Sequence, residues 1–208
     1  MSDATETAAT SGTGHPLLDH PAVTRVRQAL AAADVTTEIV VLDEHARTAA
    51  AAAEQLGIGV AQIANSLVFA VPAPAAVPAP AAVSAPGVGP DAGPDAAGRD
   101  DGTAEADGRR PVLVMTSGAH RVDLESVAAL LGVEHLERAD PDLVRRTTGF
   151  AIGGVAPVGH TTPLQTLVDV TLARHAEVWA AAGHPRTVFR TTYDQLLLLT
   201  GGQAAEVA

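Results

Sequence analysis

The residues best suited to chemistry form one stretch, Gly149–His160, which reads GFAIGGVAPVGH. Gly153 and Gly154 stand side by side, Pro157 follows, and His160 closes the run. Paired glycines let the backbone reach φ > 0 and let another molecule approach the peptide groups closely. Pro157 fixes its own φ and stiffens the loop's exit. Such a loop can aim several N–H groups, here those of Gly153, Gly154, Val155 and Ala156, at one point. That arrangement holds an anion or a developing oxyanion. A plain turn between two strands uses the same residue types, so the surroundings must decide.

Elimination narrows the chemistry. The chain has no Cys, which excludes disulfides, thiolate nucleophiles and thiolate metal sites. Lys is also absent, and all 13 basic residues are Arg, so Schiff-base and lysine general-base roles are excluded. No G-x-S-x-G elbow occurs. Ser66 and Ser117 are candidate hydroxyl nucleophiles, but neither has a base near it in sequence, so direct attack by water is the simpler route to any hydrolysis. Asn65 offers both a donor and an acceptor with which to orient a polar ligand. His160 at the loop's end and His45 are the candidate site histidines, while His15 lies in the tail and the other five mark turns or helix ends. No H-x-H or H-E-x-x-H spacing appears, so neither a metal site nor a cofactor is expected. Asp169 lies just after the loop and is expected either to accept hydrogen bonds from its amides or to face water at the strand end. Arg145 and Arg146 end the helix that feeds the loop. Some of these two and of Arg121, Arg138, Arg186 and Arg190 are expected to flank the pocket mouth and to meet phosphates, the others to be solvated surface residues.

Around this loop the chain reads as mixed elements. Residues 1–18 are expected to be a disordered tail. Val23, Val26 and Leu30 mark the apolar face of a helix capped by Asp19. Glu38–Leu42 reads as a strand, Thr48–Leu56 as an alanine-rich helix stopped by Gly57, Val60–Ile63 as a helical turn and Ser66–Val71 as a buried strand. Residues 72–110 then break all periodicity with Pro, Ala, Gly and Asp, and read as a disordered insertion between two strands of a hairpin. Pro111–Ser117 is a strand and Val122–Leu131 a helix with Asp123 at its start. Glu134–Arg138 is a short strand, and Pro141–Thr147 a helix with proline in its first turn. Gln165–Val170, Glu177–Ala181 and Thr187–Thr191 are strands, the last two joined by Gly183-His184-Pro185. Tyr193–Thr200 is a final helix. Strict βαβ alternation is missing, so the expected fold is α+β, with a mixed, mostly antiparallel sheet curled toward a barrel and helices outside it. Residues 19–206 would make one domain.

Composition sets the outer limits. At 208 residues with 47% hydrophobic and 2% aromatic content, the chain can bury a core built largely of Ala and Val. No run of about 18 apolar residues suggests a membrane span. The polar, acidic N-terminus lacks the features of a secretory signal, so a cytoplasmic location is expected. A formal net charge of −11 argues against indiscriminate nucleic-acid binding and against DNA as a partner, while leaving room for a local Arg patch.

Taken together, EHA at Glu44–Ala46, the helix stopped at Gly57, IANSLVF at Ile63–Phe69 and the VxVxxSGxxxVDL pattern at Val112–Leu124 form an ordered set with TGFAIGGVAPVGH at Thr148–His160 and LLLLTGG ending at Gly202. This set resembles the YbaK/EbsC family, free-standing relatives of the editing domain inserted in bacterial prolyl-tRNA synthetases. The resemblance covers about residues 20–206 apart from 72–110. It implies a mixed β-barrel core surrounded by helices, and hydrolysis in trans of tRNA wrongly charged with Ala, Cys, Ser or Thr. The partner would be the acceptor end of that tRNA, with an aminoacyl-tRNA synthetase as a further candidate. The family's GxxxP loop corresponds to Gly153–Pro157, which would hold the aminoacyl ester. Gly153, Gly154, Val155, Ala156 and Asn65 would then carry catalysis. Ser66, Pro157, His160, His45, Ser117, Gly118, Asp169, Arg145 and Arg146 would bind substrate. The family usually carries a lysine where this chain has Asn65, a departure that bears first on substrate identity and then on activity. The alternative is an inactive module that keeps the pocket and binds an aminoacyl or nucleotide-like ligand, or a partner protein.

Overall fold

The structure is a computed structural model that describes residues 14–72 and 108–208. The expectations placed on residues 1–13 and on 73–107 lie outside the described residues. Two strands organise the rest. β2 (Ile63–Val71) and β3 (Arg110–Ser117) pair antiparallel over their whole length, from Ala64↔Ser117 to Val71↔Arg110. The run of apolar residues in β3 is buried from Pro111 onward, as a strand covered on both faces must be.

The remaining strands are β1 (Ile39–Val41), β4 (Glu137–Arg138), β5 (Gln165–Asp169), β6 (Val178–Ala181), β7 (Thr187–Thr191) and β8 (Gln203–Ala205). They form one mixed sheet in the order β1-β7-β6-β2-β3-β5-β8, with β4 paired to β2. Antiparallel ladders predominate, and the parallel ones are β2–β6, β3–β5 and β5–β8. β1 and β8 end the path, and no ladder joins them among the described residues.

Five helices surround the sheet: α1 (Pro21–Ala32), α2 (Ala49–Leu56), α3 (Leu124–Leu131), α4 (Pro141–Thr148) and α5 (Tyr193–Thr200). Local chemistry explains their limits. Thr48, Asp123, Asp140 and Thr192 each accept a backbone N–H at a helix start. Gly57, Gly132, Gly149 and Gly201 end helices in the left-handed conformation that glycine takes without strain.

The structure differs from the sequence reading at a few places. α1 is capped by His20, whose Nδ1 accepts from the Ala22 N–H at 3.2 Å, and not by Asp19. Asp19 instead lies in a single 3-10 turn, Pro16–Asp19, capped by His15. Order therefore begins before residue 19, because Leu18 packs against the core. β4 is confined to two residues, and β8 falls in a polar tail segment with no strand pattern of its own.

Side-chain alternation along β3 separates two core regions. Leu113 and Met115 face α1, α4, α5 and the glycine loop, alongside Val26, Phe150 and Phe189. Val112 and Val114 face α3 with Phe69, Val127 and Leu167. A third cluster seats α2 on Val40, Leu42, Ile63 and Val188. Full burial of each Val, Leu or Phe is worth about 1.5–3 kcal/mol.

Candidate active site

A cleft of about 370 Å³ opens over the face of β2. Its floor is Ile63–Phe69, including Asn65 and Ser66. The first turn of α2 forms one wall, and Gly153 and Val155 of the glycine loop form another. Trp179, Ala180 and Pro185 complete it. The exposed polar groups on the floor are few. Ser66 Oγ is 3.2 Å from Met115 Sδ, a weak acceptor, and the Asn65 amide has no hydrogen bond to the described residues.

The loop makes selective use of its amides. Gly153 takes φ +87°, a left-handed conformation that turns its peptide planes away from the path a β-carbon residue would follow. The N–H groups of Gly153, Val155 and Ala156 donate to no group among the described residues. Gly154 departs from expectation. Its N–H donates to Ala151 O at 3.0 Å, closing a tight turn, so it is spent within the loop. A β-carbon at Gly154 would lie 2.9 Å from the His184 backbone. Gly154 is therefore a packing glycine, buried against the turn after β6, and does not line the cleft. Ala156 and Pro157 are buried behind the loop as well.

Residues behind the loop hold its shape. Arg25, on α1, sends Nη2 to Gly149 O at 2.8 Å and places its guanidinium 5.0 Å from the Phe150 ring centre. Its Nε is buried without a partner. Sequence reasoning missed Arg25, although the position offered a signal: it sits three residues after Ala22 on the apolar stripe of α1, where a cation needs a reason. His160 differs from its expected place beside the substrate. Its Nε2 donates to Ala156 O at 2.7 Å and its ring meets Phe150 edge-on, so it braces the loop from the core side. Burial lowers its pKa, and the Arg25 charge lowers it further, outweighing the hydrogen bond to Ala156. His160 is thus held neutral. His45 is exposed at the rim, its Nε2 3.9 Å from where a Gly153 β-carbon would be.

Asp169 also differs. It touches none of the loop amides. It is 1% exposed and accepts from Ser117 N–H (3.2 Å), Thr116 Oγ1 (3.3 Å) and Thr171 N–H (2.9 Å), with His120 Nδ1 at 3.1 Å. Burial alone would raise its pKa, but the hydrogen bonds from Thr171, Ser117 and His120 outweigh it and hold the carboxyl below its ordinary value. Asp169 ties the ends of β3 and β5 together. Ser117 Oγ donates to Ala61 O, and Gly118 leaves no room for a β-carbon, which would lie 2.5 Å from Val60 O. Both are packing positions outside the cleft lining.

The cations are also rearranged. Arg145 and Arg146 are exposed on α4 and do not line the cleft. Arg186 donates to Leu42 O and Arg190 pairs with Glu177. The arginines that line the cleft are Arg47, unmarked by the sequence reading, and Arg138.

This sheet, with an open glycine loop facing a small cleft, is the architecture of an editing domain. The family model of the aminoacyl-tRNA editing domain matches residues 102–199. A solved structure provisionally assigned as a trans-editing enzyme for prolyl tRNA synthetase is 36% identical, at a TM-score of 0.69, with 90% of this chain and 96% of that one covered. The chain belongs to the YbaK/EbsC family of aminoacyl-tRNA editing domains. The EbsC protein of Enterococcus faecalis, provisionally named a Cys-tRNA(Pro)/Cys-tRNA(Cys) deacylase, is 26% identical over 97 residues. That match spans 47% of this chain and 59% of the Enterococcus protein. A solved hypothetical protein at 20% identity and TM-score 0.66 shares the fold. Among the described residues, no helix is long and apolar enough to cross a membrane.

Proposed function

We propose that this protein is a trans-acting aminoacyl-tRNA deacylase. It cleaves the ester between a small amino acid, from the set Ala, Cys, Ser and Thr, and the 3′ end of tRNA in the cytoplasm. The observation that carries this reading is the pair of unspent amides, Gly153 and Val155, on the wall of a cleft whose floor holds Asn65. Water attacks the ester carbonyl, and the carbonyl oxygen gains negative charge that the two N–H groups stabilise. The bond between the carbonyl carbon and the ribose oxygen then breaks, and that oxygen leaves with the proton given up by the attacking water, which the adjacent ribose hydroxyl helps to carry. Asn65 orients the ester or the ribose. Removal of one oxyanion donor costs about 3–4 kcal/mol of transition-state stabilisation, or roughly 10²–10³ in rate.

The walls are apolar: Ala64, Ala180 and Val155 offer no partner to a charged side chain, and we take the site to receive a small one. Discrimination by one methylene in such a pocket is worth only about 1–3 kcal/mol, so neighbouring small amino acids are expected to be hydrolysed at rates within roughly 200-fold of one another. The relationship to the Enterococcus protein makes Cys-tRNA the first substrate to try. The test is incubation with tRNAs charged with Ala, Cys, Ser and Thr. Hydrolysis of at least one above the buffer rate is expected, and none would overturn the reading in favour of a ligand-binding module.

A further inference from the structure

The cleft's electrostatics oppose those of the chain. The protein carries 24 acidic against 13 basic residues. Yet the cleft lining contains two arginines, Arg47 and Arg138, and no carboxylate. Neither guanidinium has an ion-pair or hydrogen-bond partner among the described residues, and both residues are exposed. Of the two acids that neighbour Arg138, Asp140 pairs with Arg109 at 2.9 Å and Glu137 lies 3.6 Å from His135.

The two arginines are rooted at opposite ends of the floor. Arg138 lies on β4, paired to β2 at Phe69. Arg47 precedes α2, whose first residue, Ala49, packs beside Gly118 and Ile63 at the other end of β2. Six residues of strand separate Ile63 from Phe69, roughly 20 Å at the usual rise. A pair so spaced suits an extended polyanion better than a single phosphate. Trp179 stands on β6 beside Ile63, half-buried in the cleft wall. Cations spaced along a groove, with an aromatic face at the Arg47 end, suit a single-stranded nucleic acid: charge for the phosphates and a surface on which a base can stack.

We infer that Arg47, Trp179 and Arg138 form a track for the single-stranded 3′ end of an RNA along the cleft that also holds Gly153 and Asn65. This inference rests on the deacylase reading for the direction of the strand, but it concerns binding and is tested without hydrolysis. Trp179 is the single Trp of the chain and so provides the signal. An uncharged RNA oligonucleotide ending in CCA should quench its fluorescence, with affinity falling as salt rises. The double variant R47Q/R138Q should bind at least ~10-fold more weakly at low salt. Its slope of log K against log salt should be shallower by about 0.7 per lost phosphate contact, or about 1.4 for two. Arg174, exposed and outside the cleft lining, is the control: R174Q should match the unmodified protein. Absence of quenching, an unchanged slope in R47Q/R138Q, or equal weakening in R174Q would each overturn the track. Thermal melts of each variant establish that these exposed substitutions leave the fold intact. RNA that binds along the track while its charged form survives would sink the deacylase and leave the track. Hydrolysis with unchanged KM in R47Q/R138Q would do the reverse.

Discussion

Gly153 and Gly154 are adjacent and chemically identical, yet their surroundings assign them different work. A β-carbon at Gly153 would have open space, its nearest neighbours being His45 and Pro185 at 3.9 Å, but φ +87° would strain it by about 1–2 kcal/mol. Gly153→Ala should therefore fold, relax the loop toward negative φ and misdirect the free amides. We expect hydrolysis of the best aminoacyl-tRNA to fall at least ~100-fold with little change in KM, and an unchanged rate would remove the loop from the oxyanion site. Gly154→Val would instead drive side-chain atoms into the His184 backbone, and overpacking of this kind costs about 1–3 kcal/mol. Urea denaturation should show that loss. His160 yields a pH prediction. Its folded pKa is lowered from 6.5, so the unfolded chain binds the proton more readily. Its contribution to stability is then present above about pH 6.5 and is lost as pH falls toward the folded value. His184, lowered by burial and by His20, Arg186 and His45, adds to the same slope. His160→Gln should flatten the fall in Tm between about pH 7 and pH 5, and a slope as steep as before would show that His160 does not titrate against folding.

At the scale of elements, the junction of β3 and β5 depends on one carboxylate. Asp169→Asn would leave several buried donors with a single amide oxygen, and hydrogen bonds to a charged group are worth about 1.5–3 kcal/mol each. A loss of about 2–3 kcal/mol in urea is expected, and because the folded pKa is depressed, the carboxylate's contribution in the unmodified protein should vanish only below about pH 4, as the group protonates. The hairpin offers a second test. Val71 and Arg110 are direct partners, so their backbones are already within reach of a short loop, and Asn-Gly between Pro72 and Gly108 makes one of five residues. Replacing residues 73–107 with Asn-Gly should leave Tm within a few degrees, and a chain that fails to fold would make the segment part of the core. These elements also show what sequence can and cannot disclose. The helix stop at Gly57 was legible because the signal and the structure occupy the same few residues. The roles of Arg25 and Asp169 were not, because Arg25 meets Gly149 across 124 positions and Asp169 meets Ser117 across 52. The candidate cleft was readable in its glycine loop and in Asn65 and Ser66. It was not readable in Arg47 and Trp179, which only the folding of α2 and β6 onto the floor brings there.

For the whole molecule, the question is how a chain of net charge −11 receives a polyanion at all. A cleft free of carboxylates and carrying two arginines sets up a local field opposed to the mean one, and low-dielectric walls concentrate such a field. Residues 73–107 hold six acidic residues against one arginine, close to half of the net charge. Val71, at the end of β2 before this segment, lies two residues beyond Phe69 and so on the Arg138 side of the floor. In the deletion protein the mean repulsion falls while the cleft is untouched. Association of tRNA should therefore quicken, by about 2- to 10-fold at ionic strengths near 10 mM, where charges act over roughly 30 Å, and by nothing measurable near 1 M, where they act over about 3 Å. Stopped-flow quenching of Trp179 reads both limits. An equal rate in the two proteins at low salt would mean that the acidic segment is too remote to be felt by the RNA. A difference that persists at high salt would mean that the segment touches the RNA directly, and its role would then be contact and not charge.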